Sequence, residues 1–90
     1  MRHKKPSDEY LVGLGHRLKV IRTYLRLDQK KMSEKMKTAQ SQISKIESGQ
    51  SAPTLHQLRT IKRLASEDDF LRENLTWEWI LEGKGKGVIG

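Results

Sequence analysis

Residues 28–49 read DQKKMSEKMKTAQSQISKIESG, and the spacing inside this stretch decides the fold. Asp28 is a good N-cap, because its short carboxylate can accept from a backbone N–H that the first turn of a helix leaves unpaired. Met32 and Met36 follow four residues apart, so both fall on one side of a short helix that begins at Gln29. Lys37 and Thr38 interrupt that period. Ile43 and Ile46 then set the inward side of another short helix, which Ser48-Gly49 closes with a residue suited to a left-handed cap. The side opposite Ile43 and Ile46 presents Ser41, Lys45 and Ser48, flanked by Gln42 and Ser44, with Gln40 at the N-terminal tip. A solvated face in a chain that is 32% charged would normally carry Lys and Glu pairs. This one is polar and almost uncharged, and Gln, Ser and Lys are side chains that hydrogen-bond base edges and phosphates.

Working outward, the large apolar residues upstream fall at Leu11, Leu14, Leu18, Ile21 and Leu25, a 3, 4, 3, 4 spacing that describes one face of a first helix. Downstream, Pro53 and Thr54 mark the next start, and Leu55, Leu58, Ile61 and Leu64 continue a helical stripe through Ala65. Thr76 then caps a last helix that holds Trp77, Trp79, Ile80 and Leu81. Nothing reads as a strand. The expected architecture is all-α, a compact five-helix domain over residues 10–82, with a helix-turn-helix at its second and third helices. A flexible basic arm is expected over 1–9 and a flexible Gly/Lys tail over 83–90. Residues 66–74, acidic and polar around Phe70 and Leu71, form an insert before the last helix. It either extends that helix into an apolar dimer surface or closes the core.

Ninety residues with 34% hydrophobic content can build one small core but not two. The absence of cysteine removes disulfides, thiol nucleophiles and thiolate metal sites, and the histidines at 3, 16 and 56 lack metal-ligand spacing, so no metal and no cofactor is expected. No nucleophile and base pair, paired carboxylate motif or glycine-rich phosphate loop is present, so the chain is not expected to be an enzyme. Asp68-Asp69 reads as a helix start or a solvated loop. The apolar runs are too short for a membrane span or a signal peptide, which predicts a cytoplasmic protein with no membrane partner. The net charge of +7 is lopsided: residues 1–45 hold 12 Lys and Arg against 4 Asp and Glu, whereas residues 46–90 hold 6 against 7. A cationic half without a membrane segment favours a polyanion, nucleic acid first.

From Leu14 to Pro53, LGHRLKVIRTYLRLDQKKMSEKMKTAQSQISKIESGQSAP resembles the helix-turn-helix regulators of the phage repressor and Cro type. Leu14, Gly15, Leu18, Ile21, Arg22, Leu27, Gln29, Met32, Met36, Ile43, Ser44, Ile46, Glu47, Gly49 and Pro53 carry the likeness. LTWEWILEGKG at 75–85 is similar to the family's fifth helix and its Gly-Lys-Gly ending, with Trp79 in the family's Trp place.

The resemblance implies a lambda-repressor-like, sequence-specific regulator of double-stranded DNA. It implies a homodimeric repressor, bacterial or phage, reading a palindromic operator with the third helix in the major groove. Carried over by position, Gln40, Ser41, Ser44 and Lys45 would read bases, Gln40 at adenine and Lys45 at guanine. Gln29 would contact a phosphate and brace Gln40, and Gln42, Gln50 and Ser51 would position the backbone. Arg22 lies on the apolar stripe of the first helix and Glu47 on the inward side of the third, so two lone charges on facing stripes need each other. The resemblance implies the same salt bridge.

Four positions depart from the family. Arg26 and Lys37 stand where glycine is usual in a turn and so invite a positive φ. Ala39 replaces the usual Ser or Thr N-cap of the third helix, leaving Thr38 to take over. Ser33 replaces an alanine, and the 66–74 insert is extra. The basic arm with Arg2, Lys4 and Lys5 is expected along the DNA backbone. No sensing domain is expected after the last helix, and control is expected from a separate partner. An antitoxin that binds a toxin, a repressor met by an antirepressor, or a protein-interaction module on the same fold are the alternatives.

Overall fold

The computed structural model describes residues 6–88, with side-chain environments from Glu9 onward, and every element among them is helical. Six helices follow one another: α1 (Pro6–Tyr24), α2 (Gln29–Met36), α3 (Gln40–Glu47), α4 (Leu55–Ala65), α5 (Asp69–Asn74) and α6 (Trp77–Glu82). Five were expected. The additional one, α5, lies inside the 66–74 insert. Asp68 accepts from the Leu71 N–H at 2.9 Å and caps it, so the acidic pair is a helix start. Leu71 is 1% exposed and closes the core beneath α5, while Phe70 stays outside and stacks on Tyr24 with ring centroids 5.5 Å apart.

The first helix also begins earlier than expected. Pro6 opens it, because a proline needs no N–H partner in the first turn and its fixed φ is already helical. Residues 6–9 therefore belong to α1 rather than to a flexible arm, and the arm residues Arg2, Lys4 and Lys5 lie outside the described residues. At the other end, residues 83–88 do not trail away from the body. Thr76 Oγ1 donates to the Lys86 carbonyl at 2.8 Å, Gly87 packs on the Trp79 ring, and Val88 rests against the core.

The core runs through Leu14, Leu18 and Ile21 of α1, Met32 and Met36 of α2, Ile43 and Ile46 of α3, Ile61 and Leu64 of α4, Leu71, and Trp79 and Ile80 of α6. The predicted stripe of α4 starts one turn late. Leu55 is 70% exposed, because it is the first residue of its helix and that turn projects past the core. Thr54 and Gln57 form a reciprocal capping box that pairs two of the otherwise orphaned first-turn N–H groups.

Three successive helices end in the same way. Arg26 (φ 62°), Lys37 (φ 55°) and Gly49 (φ 85°) are left-handed, and the next residue's N–H reaches back to the carbonyls of Arg22, Ser33 and Lys45 respectively. These caps turn the chain within a few residues, and at the two non-glycine positions each costs on the order of 1–3 kcal/mol.

The crossing of α1 on α3 sets the shape of the domain. A Cβ at Gly15 would collide with the Ile46 carbonyl oxygen and stand 2.8 Å from that of Glu47, so the backbones touch there directly. Gly13, two residues earlier, would meet the guanidinium of Arg17 at 3.3 Å, a side chain that can yield a few tenths of an ångström where a carbonyl of the backbone cannot. Gly15→Ala is expected to lower stability by about 1–3 kcal/mol through overpacking. Gly13→Ala should cost less than Gly15→Ala, because the helix propensity gained, roughly 0.5–1 kcal/mol, offsets the small shift asked of the Arg17 side chain. Urea denaturation midpoints at constant m-value check that order.

Candidate nucleic-acid interface

Two helices of eight residues each, α2 and α3, are joined by Lys37, Thr38 and Ala39. The start of α2 is set by Asp28, which accepts from the Lys31 N–H at 2.7 Å. Its buried side holds Met32, Met36 and Ser33, the last donating to the Lys30 carbonyl at 2.6 Å. Ser33 thus meets its hydrogen-bonding need inside its own helix, which is how the departure from alanine is tolerated.

The inward side of α3 carries Ile43 and Ile46, and Glu47 anchors its last turn. Arg22 Nε donates to Glu47 Oε2 at 2.6 Å and Arg22 Nη2 to Glu47 Oε1 at 3.0 Å. The two side chains are 11% and 7% exposed, so this bidentate pair is nearly shut off from water. Its remaining hydrogen-bonding capacity is also used. Arg22 Nη1 donates to the Leu27 carbonyl at 2.8 Å, and Gln29 Nε2 donates to Glu47 Oε1 at 3.1 Å. One carboxylate therefore receives α1, the first residue of α2 and, through Arg22, the turn between them.

With its back fixed, α3 presents Gln40, Ser41, Ser44 and Lys45 to solvent. Gln50 is exposed, and Gln42 and Ser51 are half-buried beside that face. Ser48 turns its hydroxyl back onto the Lys45 carbonyl at 3.1 Å. Gln29 differs from expectation: its amide braces Glu47 and not Gln40, because the carboxylate offers a charged acceptor where the glutamine would offer a neutral one. Thr38 differs too. Its hydroxyl accepts from Gln57 Nε2 of α4 at 3.4 Å, so α3 has Ala39 at its N-cap and no side-chain cap.

A family model described as a helix-turn-helix domain matches residues 15–86. The chain belongs to that helix-turn-helix family. No curated protein matches it. The matched span begins at the glycine where α1 meets α3 and ends at the lysine whose carbonyl Thr76 holds, so it includes the insert and the folded-back end.

Some contributors to this arrangement carry no signal in the amino-acid pattern. Arg17 donates to the carbonyls of Ile80 at 2.8 Å and Leu81 at 3.2 Å, clamping α6 onto α1 across 63 residues of chain. Others do carry one, in the polar positions of α4 opposite its apolar stripe. His56, Arg59 and Arg63 stand at i, i+3 and i+7 on one side of that helix.

Removing one partner of the Arg22–Glu47 pair strands the other as a charge with little water around it. Glu47→Ala is expected to cost about 3–5 kcal/mol of folding stability. A thermal melt followed by helical circular dichroism measures this, and an unchanged melting temperature would refute the anchoring role.

Proposed function

We propose that this helix-turn-helix protein is a sequence-specific regulator of transcription that binds double-stranded DNA, of the phage repressor and Cro type, with α2 and α3 as its helix-turn-helix. The observation that carries the reading is the exposed face of α3. Gln40, Ser41, Ser44 and Lys45 stand on it without a carboxylate, and Ile43, Ile46 and Glu47 hold its opposite side. Rigid backing matters because base reading depends on placing short polar side chains to within a fraction of an ångström.

In the complex, α3 lies in the major groove with its N-terminal end against the base edges. Gln40 makes a bidentate contact to adenine N6 and N7, and Lys45 donates to guanine O6 or N7, each good pairing contributing about 1–3 kcal/mol of discrimination. Ser41 and Ser44 meet neighbouring edges. Gln29, Gln42, Gln50 and Ser51 donate to phosphates, which orient the protein without carrying sequence information. Two copies bind a palindrome as a repressor dimer, their recognition helices about 34 Å apart in successive grooves. Such a protein works where duplex DNA is open to it, in the bacterial cytoplasm or an infected cell, as a binder and not an enzyme. Tyr24 and Phe70, stacked on each other and 40% and 44% exposed, favour a protein contact at the insert in addition, as an antitoxin or an antirepressor target would need.

Selection of sites from random duplex DNA, with the wild type and with Gln40→Ala/Lys45→Ala at one stated salt concentration, tests this. The wild type is expected to return a palindrome whose half-sites are centred about 10 bp apart, and the double variant to lose that preference while keeping its melting temperature. Sequence-blind binding that is the same in both proteins would overturn the reading.

A further inference from the structure

A second concentration of positive charge stands apart from the exposed face of α3. The C-terminal end of α2 and the length of α4 border two adjoining concavities of about 390 and 370 Å³. Lys35 and Lys37 line the first, His56 and Arg63 line both, and Arg59 lines the second. Neither lining contains an Asp or a Glu. Among the described residues the ion pairs are Arg22–Glu47 and Arg72–Asp69, so none of the cleft cations is in contact with a carboxylate, and of the four lysines and arginines only Lys35 also borders a concavity that holds acids, Glu67 and Asp68. Like charges gathered on one concave surface raise the local positive potential and so attract an anion to it.

The position of the cleft indicates which anion. Thr38, two residues before the start of α3, is bound by Gln57 of α4. This contact sets the first turn of α4 directly beside the connection that leads into α3. Arg59 and Arg63 are separated by about 6 Å along the axis of α4. Two arginines at that spacing, with Lys35 and Lys37 on the same concave surface, suit a polyanion with regularly spaced charges better than a single small ion.

We propose that this cleft is a second DNA-backbone site, in which Arg59 and Arg63 of α4, with Lys35 and Lys37, seat phosphates beyond the base pairs that α3 reads. The proposal rests on the duplex-DNA reading above. It adds a contact strip outside α2 and α3 whose contribution is affinity and orientation and not base choice. Thr54 and Gln57 spend their side chains on the capping box, so α4 is rigid from its first turn and carries the arginines on a fixed support.

The test measures binding of the selected operator and of a scrambled duplex across a salt series, by fluorescence anisotropy. Arg59→Gln/Arg63→Gln is expected to weaken binding to both duplexes by the same factor. It should also make the dependence of log affinity on log salt shallower by about two, close to one for each lost phosphate contact. Lys62→Gln/Arg72→Gln removes the same charge elsewhere, since Lys62 lies over the Trp77 ring 5.9 Å from its centroid and Arg72 pairs with Asp69. That variant should keep the wild-type slope. An unchanged slope in the cleft variant, with the wild type binding its operator, overturns the cleft and leaves the α3 reading standing. An equal drop in both variants also overturns the cleft, because total charge and not location would then be responsible. Failure of the wild type to bind either duplex overturns the α3 reading and the cleft together.

Discussion

A guanidinium and a carboxylate held almost out of water set the relative positions of the first three helices. Arg22 and Glu47 satisfy each other through two parallel hydrogen bonds, and the Leu27 carbonyl and the Gln29 amide take up further capacity at the two ends of the pair. An ion pair at this depth contributes little net stability compared with well-packed apolar residues, because desolvation offsets most of the attraction. Its effect here is directional. A planar fork and a planar carboxylate meet well in one orientation, so α3 cannot roll on α1 without breaking both bonds at once. Since the outward face of α3 is fixed by where its inward face docks, the same pair determines which side chains reach solvent.

Close backbone contact reinforces that orientation. Gly15 lets α1 touch the carbonyls that end α3, and Gly49 packs against Val12 as the chain leaves. The left-handed caps at Arg26, Lys37 and Gly49 allow each helix to stop abruptly and the next to begin within a few residues. Strain at Arg26 and Lys37 is tolerable because the reverse hydrogen bonds to Arg22 and Ser33 pair carbonyls that would otherwise remain open. Short connections of this kind leave α2 and α3 little freedom to move independently.

The charges are sorted by the same geometry. The face of α3 is nearly neutral and rich in hydrogen-bonding groups, whereas the cleft along α4 is cationic and lined without acids. In recognition of a duplex these are different tasks, because phosphates supply salt-sensitive affinity and base edges supply discrimination. Arg17, the insert and the folded-back end at Val88 serve another purpose. They close α6 over α1 and complete a core that the first four helices leave open.

Much of this was legible in the order of residues. The caps at Asp28, Thr54 and Thr76, the methionine and isoleucine spacings, and the outward set Gln40, Ser41, Ser44 and Lys45 all follow from local rules that operate within a few residues. The likelihood of positive φ at Arg26 and Lys37 was also visible, because glycine is what such turns prefer. Contacts that join distant parts of the chain were not legible in that way. Whether Gln29 would turn to Gln40 or Glu47, whether Thr38 would cap α3 or meet Gln57, and which side of the insert would be buried depended on competing partners. Leu55 and Leu58 share one periodic stripe, yet the first is exposed and the second partly covered, since burial requires a neighbour and periodicity only offers a face. The sequence by itself determined the helices and their polar and apolar sides. Only the tertiary structure decided which acceptor each donor took and which cations gathered in one cleft, because those choices depend on distances between residues that the chain keeps far apart.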